Sequence, residues 1–123
     1  MNRKELNEIL ENHEKWLDGE EGGVCADLSY ADLRNADMRD ADMRGANLDF
    51  SCLPLWCGSL GANFDDRQLI QIAYHLVKAG VNSNNASDET KKELSKLIDF
   101  ANQFHKVEEC GRIKMTSEDA NDR

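Results

Sequence analysis

Two cysteines and two histidines raise the question of chemistry in this chain: Cys57, His75, His105 and Cys110. Thiolate and imidazole together can ligate a tetrahedral zinc ion, and a thiol beside an imidazole is the minimum of a nucleophilic pair. Neither chemistry finds its usual spacing. Zinc sites draw two ligands from a short segment such as Cys-x2-Cys, whereas His105 and Cys110 stand five apart and Cys57 and His75 are isolated. Nothing identifies a residue to orient a base for a Cys57–His75 or Cys110–His105 pair. No Gly-rich phosphate loop, nucleophile elbow or zinc-protease helix occurs. The four therefore read as core histidines and buried thiols, with a metal as the alternative. The expectation is a protein that is not an enzyme and needs no cofactor.

Charge is the second source of chemistry. The 123 residues carry 24 acids against 15 Lys and Arg, a net charge of −9. That argues against direct nucleic-acid binding, where a basic footprint supplies most of the affinity. It leaves plain solubility, or an acidic face offered to a basic partner. The surplus is −4 over residues 1–23, −3 over 24–53 and −2 over 54–123. Glu11 and Glu14 lie in the first segment, and Asp32, Asp37 and Asp42 in the second. Each of these three aspartates is followed two places later by an arginine, an alternation that suits local ion pairs better than an imitation of phosphates. There is no run of 18 apolar residues to span a membrane, and the charged N-terminus does not read as a signal peptide. Four cysteines without an export signal are expected as reduced thiols.

The element that must position these charges is a repeat of period five. A small residue recurs at Ala26, Ala31, Ala36, Ala41, Ala46 and Ser51. A large apolar residue follows two places later at Leu28, Leu33, Met38, Met43, Leu48 and Leu53. Neither a helix nor a flat strand keeps both sets on one buried face. A chain that turns a corner every five residues does, and internal repetition of this kind signals a solenoid.

The motif Ala-(Asp/Asn)-(Leu/Met)-x-x resembles the pentapeptide-repeat family. The resemblance implies a right-handed quadrilateral β-helix of about one and a half coils, within a mixed β-solenoid and helical protein. If four repeats close a coil, residues twenty apart stack. Leu28 then lies over Leu48 and Ala26 over Ala46 inside, with Tyr30 over Phe50 outside as an aromatic ledge. Exposed paired aromatics mark a contact; alternatively, Trp56 or the C-terminal helices cover them. So short a stack needs caps, and a homodimer would bury more of it.

The helical parts follow from apolar periodicity. Leu6, Ile9, Leu10, His13, Trp16 and Leu17 form one stripe of a helix over 3–17, stopped at Asp18-Gly19. A second helix starts at Asp65 or Asp66, runs to Lys78, ends at Gly80 and buries Leu69, Ile72, Ala73, Leu76 and Val77. A third runs from Ser87 or Asp88 to about Val107, burying Leu94, Leu97, Ile98, Ala101 and Phe104. The expected organisation is a capping helix over 1–23, the repeat and its connecting loop over 24–64, a helical segment over 65–113 and a disordered polar tail over 114–123.

Beyond the repeat, the layout is similar to short pentapeptide-repeat proteins of bacteriophages and prophages. The segments Pro54-Leu55-Trp56-Cys57-Gly58 and His105-Lys106-Val107-Glu108-Glu109-Cys110-Gly111 carry that likeness. It implies a small accessory protein of the bacterial cytoplasm that inhibits a host or defence protein, of anti-CRISPR or other anti-defence type, with an acidic surface that could mimic DNA. The partner would be a bacterial protein with a basic surface, met by Glu11, Glu14, Tyr30, Asp32, Asp37, Asp42 and Phe50. Two alternatives stay open. One is an oligomer that sequesters a nucleotide-like signal in a pocket near Trp56, His75 and Arg44; the other is a purely structural scaffold module.

Overall fold

The computed structural model describes residues 1–114, so the expectation of a disordered tail lies, from residue 115 on, outside the described residues. The chain divides into two compact units, 1–65 and 66 onward.

The first unit begins with α1 (Arg3–Leu17). Asn2 caps it, its side chain accepting from the Glu5 N–H at 2.8 Å and donating to the Glu5 carboxylate. The helix stops in a Schellman motif at Gly19 (φ 70°), where the Glu20 N–H reaches Lys15 O and the Gly19 N–H reaches Trp16 O. Gly23 then lets the chain double back. A Cβ there would stand 2.4 Å from the Trp16 nitrogen.

Residues 24–53 follow the five-residue period as a series of β-turns, and a loop with a 3-10 turn leads on to residue 64. Each large residue accepts from the small residue three places on: Leu28 from Ala31, Leu33 from Ala36, Met38 from Ala41, Met43 from Ala46, Leu48 from Ser51. At four corners the third turn residue has positive φ, namely Tyr30, Asp40, Gly45 and Phe50, as a type II turn requires. The chain then passes over itself. Leu28, Leu33 and Met43 donate to the carbonyls of Asn47, Cys52 and Asn63, and those residues donate back to Ala26, Ala31 and Ala41. Inside lie Leu28, Leu33, Met38, Met43 and Leu48 with Ala26 and Ala46; Leu53 is half-buried against them. Leu6 of α1 belongs to the same core, with Ile9 and Leu10 packed beside it.

The expected β-helix is not what forms. Among the described residues there is no β-strand and no sheet, only three isolated parallel bridges, Asp27–Asn47, Asp32–Cys52 and Asp42–Asn63. The corners explain why. Each turn takes the amide of the small residue, leaving too few groups per side for a continuous ladder. The regular structure of the described residues is helical, with five α-helices and one short 3-10 turn at Cys57–Ser59.

The second unit holds α2 (Asp66–Asn82), α3 (Asp88–Ser95), α4 (Ile98–Ala101) and α5 (Val107–Cys110). Its core is Tyr74, Val77, Val81, Ile98, Ala101, Phe104, Val107 and Ile113. Two expectations need correction. The buried face of α2 is Gln68, Gln71, Tyr74, Val77 and Val81, while Leu69 and Leu76 are exposed. The expected single third helix is broken into α3 and α4, and α5 starts at Val107, where it was expected to end. Leu97 leaves helical geometry at ψ 3°, and Asn102 turns to clamp the returning chain, donating to Ile113 O at 2.9 Å and accepting from Ile113 N at 2.7 Å. α2 and α3 pack tightly at Gly80, where a Cβ would meet Leu94 Cδ1 at 2.1 Å.

Candidate interaction surfaces

The outward face of the repeat is a ladder of turns with a charge on each. The Asp or Asn before each large residue accepts from the amide two places on: Asp27 from Ser29, Asp32 from Arg34, Asp37 from Arg39, Asp42 from Arg44, Asn47 from Asp49. This Asx geometry explains the residue type at that position. In three rungs the arginine folds back as a fork, its Nε and Nη donating to the two carboxylate oxygens at 2.6–2.9 Å. The Arg34 and Arg39 side chains hold the Asp32 and Asp37 carboxyls down at about 2. Arg44 lowers Asp42 likewise. The three aspartates are thus ionised but locally compensated, so the ladder is no bare acidic row.

Tyr30 and Phe50 lie on one corner of successive turns, stacked with centroids 4.9 Å apart and planes 13° from parallel. Both are exposed. Their shared φ of 61° is one that bulky side chains rarely adopt.

Glu11 and Glu14 line a cleft of about 210 Å³ between α1 and the repeat, together with Leu10, Asp40 and Asp42. Another opening, of about 500 Å³, is lined by Arg34, Asn35, Leu53, Leu55 and Trp56. Arg39 stands over the Trp56 ring at 5.7 Å. Arg44, expected near a pocket with Trp56, is engaged with Asp42 instead.

Sequence reasoning placed His13 only on an apolar stripe. It is fully buried and bridges two backbone groups at the end of the stack. Its Nδ1 accepts from the Ala26 N–H at 2.9 Å, and its Nε2 lies 2.7 Å from Arg44 O. With Nδ1 accepting, Nε2 carries the proton donated to that carbonyl. Trp16 stacks on the imidazole. A polar, titratable residue at a core position of α1 was the available signal.

The Cys57, His75, His105 and Cys110 expectation is corrected. All four side chains are exposed, not buried. His75 and His105 each pack edge-on against Phe104. Among the described residues no group of three or more His, Cys, Asp or Glu is placed to hold a metal ion. No described helix is long and apolar enough to cross a membrane.

A family model for pentapeptide repeats matches residues 24–54, in eight copies. This segment is a pentapeptide-repeat domain. No curated protein and no solved structure matches the chain. The turn geometry runs past the matched segment, because Ala62-Asn63-Phe64 repeats the motif with a shift of one residue and pairs with Asp42 and Met43.

Proposed function

We propose that this chain is a non-catalytic interaction module that inhibits a bacterial host or defence protein, in the manner of small phage-borne anti-defence proteins, by engaging a basic surface. The observation that carries the reading is the Tyr30–Phe50 pair, two exposed rings on a backbone conformation that costs on the order of 1 kcal/mol each. Turn formation does not require aromatic side chains there, since Gly45 and Asp40 occupy the same conformation at other corners. Exposed aromatics held rigidly are what binding hot spots are made of. The unit that bears them holds 14 acids against six basic residues, which favours a basic partner. Because Asp32, Asp37 and Asp42 carry their own arginines, the uncompensated charge in this reading is spread over the rest of the unit, from Glu11 and Glu14 at the cleft to Asp18, Glu20 and Glu21 beyond α1. Capture from lysate of phage-infected bacteria tests it. The native chain should retain a defined partner that the Tyr30→Ala/Phe50→Ala variant releases. Identical captures by both proteins would overturn the reading.

A second reading, a small-molecule sequestering protein, draws support from the cleft beside Trp56, whose size of about 500 Å³ suits a nucleotide-like ligand. Native mass with and without small-molecule extract separates the two.

A further inference from the structure

The chemistry around Tyr30 and Phe50 narrows the kind of group that could dock there. Each ring covers one face of the other. The pair is nevertheless 76% and 58% exposed, so a large part of both side chains meets water. Their mutual stacking, with centroids 4.9 Å apart, already restrains both rings, so little rotamer freedom is lost on docking. Two acidic residues belong to these same turns. Asp27 precedes the Leu28–Ala31 turn and accepts from the Ser29 amide and hydroxyl, which together hold its carboxyl below the usual range. Asp49 precedes Phe50 in the overlying turn, where the Tyr30 N–H donates to its carbonyl.

We infer that this corner binds arginine: a guanidinium of a basic partner stacks on the Tyr30–Phe50 rings while its N–H groups reach the Asp27 and Asp49 carboxylates. A guanidinium is planar, delocalised and weakly hydrated. It can lie on a ring and donate in its own plane at once, whereas a lysine ammonium is a strongly hydrated point charge that can do only part of this. A nucleobase would also stack, but its phosphates would meet the acidic surplus of this unit. The inference rests on the reading of the chain as a binder of basic proteins and specifies the side chain involved.

The test titrates the full-length protein with nona-arginine and nona-lysine peptides by calorimetry at moderate ionic strength. The arginine peptide should bind about threefold to tenfold tighter than the lysine peptide. Tyr30→Leu with Phe50→Leu keeps apolar bulk, removes the π faces and should equalise the two affinities; Tyr30→Phe should preserve the preference. The single leucine variants, each expected to show an intermediate ratio, carry the test if the double variant does not fold. Asp27→Asn with Asp49→Asn should weaken both peptides, the arginine peptide more. Equal affinities in the native chain, or a preference that survives loss of both rings, would overturn the arginine assignment. If the native chain fails to distinguish the peptides and the Tyr30→Ala/Phe50→Ala variant still loses its cellular partner, the arginine assignment falls and the interaction reading stands.

Discussion

At the scale of residues, His13 shows how a short stack of turns is closed. The Ala26 N–H and Arg44 C=O lie at the end of the stack, where no further turn exists to pair with them, and one neutral imidazole satisfies both. His13→Leu keeps the apolar volume and leaves one buried donor and one acceptor unpaired. It should cost about 2–4 kcal/mol in urea unfolding, since each orphaned group costs about 1–3. A cost below about 0.5 kcal/mol would mean that water replaces the imidazole. The ladder aspartates make a different prediction. Folded Asp32 and Asp37 titrate at about 2, against an ordinary value of 3.8. Their folded-state values are depressed, so whatever stability they add is fully present above about 3.8 and is lost as pH falls through about 2. The Asp32 side chain is exposed and that of Asp37 half-buried, with both paired arginines open to solvent, so the fall should be shallow. Carboxyl carbon shifts followed by NMR should show the two late titrations, and Arg34→Ala or Arg39→Ala should return the corresponding one toward 3.8.

At the scale of elements, inward and outward positions differ sharply in what they contribute. Leu48→Ala opens a cavity in the core it shares with Leu28 and should cost about 2–5 kcal/mol. Arg39→Ala removes an exposed ion pair and a solvent-facing contact with the Trp56 ring and should cost much less than Leu48→Ala. Thermal melts in the reverse order would invert the assignment. In the second unit, Asn102→Ala removes both bonds that hold Ile113, and a loss of about 1–3 kcal/mol should appear as faster amide exchange at Ile113. The period-five pattern was legible because each corner sends the same two side chains inward, and the Tyr30–Phe50 stack follows from a spacing of twenty. The limits were equally physical. Ala62-Asn63-Phe64 escaped notice because one extra residue between Leu53 and Ala62 shifts the register, so Asp42 pairs with Asn63, twenty-one places on. Gln68 and Gln71 hid the true inner face of α2, since hydropathy reads a buried amide as an exposed one. The break after α3 left no trace in the pattern, because Leu94, Ile98 and Ala101 keep helical spacing across it.

At the scale of the whole molecule, the distribution of charge matters more than its total. Of the net −9, residues 1–65 carry −8. Within that unit, three aspartates are matched by forked arginines. Long-range attraction of a basic partner depends on uncompensated charge, and fully desolvated aromatics govern how long the complex lasts. Two variants of similar size should therefore behave differently. Glu11→Gln with Glu14→Gln removes two unmatched acids, and it should slow association and flatten its dependence on salt. Asp32→Asn with Arg34→Gln removes a matched pair, leaves the net charge unchanged and should leave the association rate within about twofold. Tyr30→Ala with Phe50→Ala should act on dissociation instead, speeding it by about 10-fold to 100-fold, equivalent to roughly 1–3 kcal/mol. Surface binding to the captured partner at several salt concentrations reads all three effects. If the ladder pair changes the salt slope as strongly as Glu11 and Glu14, the partner reads the rungs individually at contact distance. Attraction by the uncompensated charge of this unit would then be the wrong description of how the complex forms.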